Sequence, residues 1–216
     1  MTIKAVFFDC DGTLTKVKSS WEYIHRKLNI WNDYADEYQM LFRQGKIDYE
    51  EFCRRDALLW KGLKVAEVME IIQEIPYQEG AKEMVGALRK MGVFTVILST
   101  GLSLLVEKVR EELGIQMSLS NDLLAKDGLL TGETKINVQY DNKGFWVDKI
   151  LRQKGLERAN SCAVGDGEGD RGMFESVGLS IMFSPDSNVR CSPDYTIHDK
   201  PLTKVIEIIK CYSDVS

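Results

Sequence analysis

Residues Ile3-Lys4-Ala5-Val6-Phe7-Phe8-Asp9-Cys10-Asp11-Gly12-Thr13-Leu14-Thr15 decide the fold. An apolar run over 3–9 reads as a buried strand, and it ends in two carboxylates one residue apart followed by a glycine turn. In open α/β sheets, ligands gather at the carboxyl ends of strands. Two acids fixed there can act as a nucleophile and a proton shuttle around one metal. A plain surface turn is the bland alternative, since Asp and Gly both favour turns. An EF-hand loop needs an acid at its fifth position and Glu at its twelfth; Thr13 and Ser20 stand there instead. Cys10 alternates with Asp9 and Asp11, so in extended chain it points the other way, into packing.

Working outward, residues 16–76 change character. Helices are expected over 20–29, 33–43, 48–60 and 65–74, with Asp48 and Glu51 at capping-box spacing. The stretch Ile75-Pro76-Tyr77-Gln78-Glu79-Gly80 breaks the run and reads as a hinge. Alternation of helix and strand follows: helix 81–91, strand 93–98, helix 102–113, a hairpin over 123–136 turning at Asp127-Gly128, helix 144–154, strand 161–165, helix 168–177, strand 179–183, a short strand at 195–198 and helix 201–211. The expected fold is α/β: a parallel sheet with helices on both faces, a β-hairpin, and an inserted helical block.

Composition narrows the classes. At 216 residues with 44% hydrophobic content, the chain can bury a real core, as one domain or a core plus a small module. A formal net charge of −5 argues against nucleic acid as a partner. Without a long apolar run or a signal-peptide start, a soluble cytoplasmic protein with no membrane association is expected. The five cysteines form no CxxC pair and read as reduced thiols; two histidines without HExxH argue against a histidine-based zinc hydrolase.

Three further motifs echo the first. Ser99-Thr100-Gly101 closes one strand and opens a helix, where a hydroxyl and backbone N–H groups suit a phosphate oxygen, or form an ordinary N-cap. Lys143-Gly144 begins a helix, where a lysine is disfavoured by the dipole and hints at another use; Lys149 competes, but its mid-helix setting reads as surface. Gly165-Asp166-Gly167-Glu168-Gly169-Asp170 follows a strand, with two acids four apart among glycines, suited to a divalent metal.

In this order, the motifs resemble the haloacid dehalogenase superfamily, and within it the phosphoserine-phosphatase-like branch. The hinge Pro76-x-x-Glu79-Gly80-Ala81 and the segment 126–132 belong to the same likeness. The resemblance implies a Rossmann-like core over 1–15 and 77–216, a helical cap of the C1 type over 16–76, and Mg²⁺-dependent hydrolysis of a small phosphorylated metabolite through an aspartyl-phosphate. It assigns the nucleophile to Asp9 and the acid/base to Asp11. Asp9, Asp11 (through its carbonyl), Asp166 and Asp170 go to the metal shell, and Lys143, Ser99, Thr100 and Gly101 to the phosphate oxygens. In an ungapped register, the branch's substrate-reading arginine and glutamate fall at Asp56 and Lys18, both with inverted charge, and Gly169 replaces an asparagine. Lys18 and Asp56 are therefore expected to meet the substrate or to pair with each other, with Arg54 or Arg55 as substitutes, and phosphoserine is expected to be a poor substrate. A phosphomutase of the same superfamily, a receiver domain and a catalytically silent relative are the rivals. The receiver would be shorter, and the silent relative would have lost Asp9, Asp11 or Lys143.

Overall fold

The computed structural model describes residues 2–30, 33–185, 189–198 and 200–215. Among them, strands β1 (Ala5–Phe8), β2 (Phe94–Leu102), β3 (Met117–Lys126), β4 (Leu129–Lys135), β5 (Ser161–Gly165), β6 (Leu179–Phe183) and β7 (Tyr195–Ile197) form one sheet in the order β4-β3-β2-β1-β5-β6-β7. Every pairing is parallel except β3 with β4. The chain leaves β1 for β2 on one side and later reaches β5 on the other. The strand order therefore reverses at β1, where a crevice opens beyond the carboxyl ends.

Side chains of β1 alternate between two apolar layers. Ala5 and Phe7 pack with Val147, Ile150 and Met173, from α7 (Lys143–Lys154) and α8 (Arg171–Phe174). Val6, Phe8 and Cys10 pack in the opposite layer with α5 (Ala81–Lys90), α6 (Ser103–Leu113) and α9 (Lys204–Val215). Phe7 and Phe8 are fully buried, each contributing about 1.5–3 kcal/mol from burial. Cys10 is buried as its alternation requires, and all five cysteines are free thiols.

Of the five described helices between β1 and β2, the first four form the insert: α1 (Ser20–Lys27), α2 (Asp33–Arg43), α3 (Tyr49–Leu58) and α4 (Val65–Gln73). Asp48 caps α3 by accepting the Glu51 N–H at 2.8 Å, but the Glu51 carboxylate turns to Arg54 and Arg55, so only half of the box forms. The chain enters and leaves this insert through paired segments: Thr15 bridges Tyr77, Lys16 N–H donates to Pro76 O at 2.9 Å, and Gln78 N–H donates to Leu14 O at 2.9 Å.

Three elements differ from the sequence expectations. β2 runs on to Leu102 through a register shift between Leu98 and Leu102, so Ser99-Thr100-Gly101 is irregular strand and no helix cap. β3 begins at Met117, in a polar stretch where no strand is expected; Ser118 and Asn121 satisfy their polar groups through side-chain bonds. The helix expected over 168–177 is a 3-10 turn over Glu168–Asp170 and then the one-turn α8, since Gly167, Gly169 and Gly172 weaken it. The hairpin is as read: Asp127 and Gly128 both take positive φ, as a tight I′-type turn demands. Among the described residues, no helix is long and apolar enough to cross a membrane.

Candidate active site

The crevice above β1 is a cavity of about 740 Å³. Asp9, Asp11, Lys18, Ser99, Thr100, Gly101, Lys143, Asp166 and Asp170 all line it. Asp9 is held at the end of β1 by its own N–H, which donates to Val164 O at 2.9 Å. Continuing the β1 alternation puts its carboxylate toward α7, whose first residue is Lys143. The Lys143 Nζ donates to Asp9 Oδ1 and to Asp170 Oδ1, both at 2.7 Å, and only 2% of the residue is exposed. Burial disfavours its charge, but the carboxylates of Asp170 and Asp9 outweigh this and raise its pKa, keeping the ammonium charged. Lys149 instead lies over the Trp146 ring, 4.4 Å from its centre.

Glycines make these approaches possible. A Cβ on Gly144 would lie 2.6 Å from Gly172 O, so the start of α7 sits directly on α8. Gly12 has φ +78°, and a Cβ there would lie 2.2 Å from Asp166 Oδ2. A Cβ on Gly165 would strike the Asp170 carboxyl at 2.4 Å. That carboxyl folds back so that its Oδ2 accepts the N–H groups of Asp166 and Gly167, at 2.9 and 3.1 Å.

Asp9, Asp166 and Asp170 each offer a carboxylate oxygen, all within 4.8 Å of one another. Burial, with the neighbouring Asp170 charge, pushes the Asp166 pKa up to about 6. Burial also drives Asp9 well above the usual carboxylate range, against the opposing pull of Lys143. One buried ammonium does not compensate three clustered carboxylates, and a hard divalent cation on oxygen ligands fits this donor set. Lys18 adds a partly exposed ammonium, donating to Asp166 Oδ2 at 2.7 Å and to Ser184 O at 2.9 Å.

Asp11 is arranged differently. Its Oδ2 accepts the Ser20 N–H at 3.0 Å and the Ser20 hydroxyl at 2.7 Å, while its Oδ1 is buried with no hydrogen-bond partner among the described residues. Burial raises its pKa, so it can hold a proton and hand it on. Gly101 leaves room for it, since a Cβ there would come within 2.9 Å of Asp11 Oδ2. Ser99 Oγ accepts the Gly101 N–H at 2.9 Å.

Asp56 does not reach this site. It is buried inside the insert, with Oδ1 3.8 Å from His25 Nε2, while His25 Nδ1 accepts the Trp60 indole N–H at 3.1 Å. The expected Lys18–Asp56 contact is absent because Asp56 faces the core of the insert and Lys18 faces Asp166. Arg54 and Arg55 do not line the cavity; both are tied to Glu51.

Several residues in or beside the cavity belong to no motif of the sequence. Ser20, which orients Asp11, had only its place at a helix start as a signal. Tyr49 donates its hydroxyl to Thr100 O at 2.5 Å, joining the insert to β2. Tyr140 accounts for Gly169: a Cβ at 169 would meet its ring at 3.2 Å, so the ring fills the space a side chain there would take.

Comparison with known proteins agrees with this geometry. The model of the haloacid dehalogenase-like hydrolases matches residues 6–175. The chain is 31% identical to the phosphoserine phosphatase of Methanocaldococcus jannaschii, over 96% of this chain and 98% of that one. It is 30% identical to the phosphoserine phosphatase of Archaeoglobus fulgidus, over 96% of this chain and 60% of that one. A solved substrate-bound phosphoserine phosphatase complex superposes with a TM-score of 0.85 at 28% identity, covering 96% of this chain and 99% of the other.

Proposed function

The chain belongs to the haloacid dehalogenase-like hydrolases, and on that premise we propose that it hydrolyses a small phosphomonoester through a phosphoryl group carried transiently on Asp9. The observation that carries this reading is the buried Lys143 ammonium bridging Asp9 and Asp170, with the unpartnered Oδ1 of Asp11 on the same cavity wall. In the first step an Asp9 oxygen attacks phosphorus and the bond to the leaving oxygen breaks, with Asp11 giving that oxygen its proton. In the second, Asp11 takes a proton from water, whose oxygen attacks phosphorus. The acyl-phosphate bond breaks, Asp9 is regenerated and inorganic phosphate leaves.

Lys143, the Ser99 hydroxyl and backbone N–H groups near Asp11 and Thr100 serve the phosphoryl oxygens, and stabilising that spread charge is most of the catalytic work. Asp9, Asp166 and the Asp11 carbonyl would hold Mg²⁺, with Asp170 supporting them. When bound, the metal supplies the positive charge that lets a carboxylate approach a phosphate dianion. The raised pKa values of Asp9 and Asp166 are what a carboxylate cluster assembled for a cation has in the cation's absence.

The insert of α1–α4 acts as a cap over the cavity, joined to the core by the paired segments at Thr15 and Tyr77 and by the Tyr49–Thr100 bond. The test is phosphate release from an aryl phosphate. Turnover should require Mg²⁺ and fall by at least about a thousandfold in Asp9→Asn, as expected when a nucleophile is removed. Full activity of Asp9→Asn in the presence of metal would contradict the reading.

A further inference from the structure

One wall of the cavity is aromatic, unlike its acidic floor. Trp21, Phe42, Tyr49, Phe52 and Tyr140 line it, and four of them form one connected aromatic wall. Phe42 stacks on Phe52 with centroids 5.3 Å apart, meets Tyr140 edge-on at 5.3 Å and lies 5.7 Å from Tyr49. Tyr49 contributes ring surface but not its hydroxyl, which is committed to Thr100. About 740 Å³ falls in the range of roughly 300–1,000 Å³ typical of sites for drug-sized ligands, more than a three-carbon amino acid fills.

The charges around the cavity are also asymmetric. Its acids other than those placed in the catalytic and metal roles are engaged: Glu22 by Arg26 at 2.7 Å, and Glu168 by the Arg190 backbone N–H. Arg43, the last residue of α2, lines the cavity beside Phe42 and has no ion-pair or hydrogen-bond partner among the described residues. One guanidinium is thus available for an anion, while among the described lining residues no carboxylate outside the catalytic and metal roles stands uncommitted to await an ammonium. A zwitterionic amino-acid head needs both.

We propose that the leaving group of the substrate is a planar ring ending in an anionic group, its face against the wall of Phe42, Tyr49, Phe52 and Tyr140 and its anion on Arg43. This rests on the phosphatase reading above and names its substrate class. Aromatic faces take rings in stacked or edge-on geometry, and a guanidinium takes a carboxylate with two parallel hydrogen bonds.

The test compares kcat/KM for benzyl phosphate, the same ester with a para-carboxylate on the ring, phosphoserine and glycerol phosphate. The two benzyl esters differ mainly in the remote anion, so their ratio isolates it. The carboxylated ring should exceed phosphoserine by roughly tenfold or more and the plain ring by about tenfold, the scale of one charge-assisted contact. Arg43→Gln should bring the ratio of the two ring esters to near one. Phe42→Leu should cut the preference for the plain ring over glycerol phosphate by about fivefold, the scale of one aromatic pair. Arg43 is exposed, so its variant remains informative if Phe42→Leu fails to fold. Preference for phosphoserine, or an Arg43→Gln variant with unchanged ratios, would overturn the inference while leaving the phosphatase reading intact. No hydrolysis of any ester with Mg²⁺ present would end both.

Discussion

Asp56 shows how far one residue's role depends on where its helix points. In an ungapped register the resemblance would put a substrate-reading arginine at this position. In the structure Asp56 is 3% exposed and faces His25 within the insert. Asp56→Arg should therefore not create a carboxylate reader. Forcing a guanidinium into that interior buries a larger, uncompensated charge and should cost on the order of 3 kcal/mol or more, the scale for an unpaired buried ion. At roughly 2–4 °C per kcal/mol for a chain of this size, a melting curve should fall by about 6–12 °C. An unchanged melting temperature with a gain on phosphoserine would show that residue 56 reaches the cavity. Asp9 and Asp11 were legible because their placement is local: a strand's alternation and one glycine turn determine it. Ser20, Arg43 and Tyr140 were not, because only the packing of the insert and the loops brings Ser20 to Asp11 and the other two to the cavity.

At the scale of elements, close backbone approach sets the geometry. α7 delivers Lys143 between two carboxylates because Gly144 lets the helix start lie on Gly172 O. Gly144→Ala must push α7 off α8. It should destabilise by about 1–3 kcal/mol, the usual cost of overpacking, and lower kcat by displacing the ammonium; chemical denaturation and steady-state kinetics read the two effects. The loop over residues 165–170 gives a pH signature. In the metal-free protein Asp166 titrates near 6, above its ordinary 3.8. A raised carboxyl favours the folded state below its unfolded pKa, and this contribution fades as pH climbs through about 4 to 6. Stability in EDTA should therefore decline across that window. Mg²⁺ bound only by folded protein should restore it, by about 2.7 kcal/mol at a hundredfold over its dissociation constant, with a larger effect at about pH 7 than at about pH 5. Equal melting temperatures with and without Mg²⁺ at both pH values would argue against a metal site at these acids. Strands β1 and β5 and the hairpin were readable from apolar runs and turn residues. The start of β3 was not, since its polar side chains are satisfied by tertiary partners such as Glu107 and Val138 O that no local pattern reveals.

At the scale of the molecule, the sheet order brings four sequence-distant segments to one crevice: β1, the end of β2, the start of α7 and the loop after β5. The helical insert closes it, with Tyr49 bonded to Thr100 and Phe42 against Tyr140. The order of motifs along the chain already implied this convergence, while the aromatic character of the insert's inner face emerged only with its packing. The proposed mechanism stands on Asp9 as the residue that carries the phosphoryl group. Turnover of an aryl phosphate with Mg²⁺, quenched with borohydride, reduces an acyl-phosphate to the alcohol and marks its position for peptide mass spectrometry. Homoserine is expected in place of Asp9, in amounts that rise when Asp11→Asn slows the second step. Reduction at another carboxylate, or none in a preparation that is turning over, would contradict it.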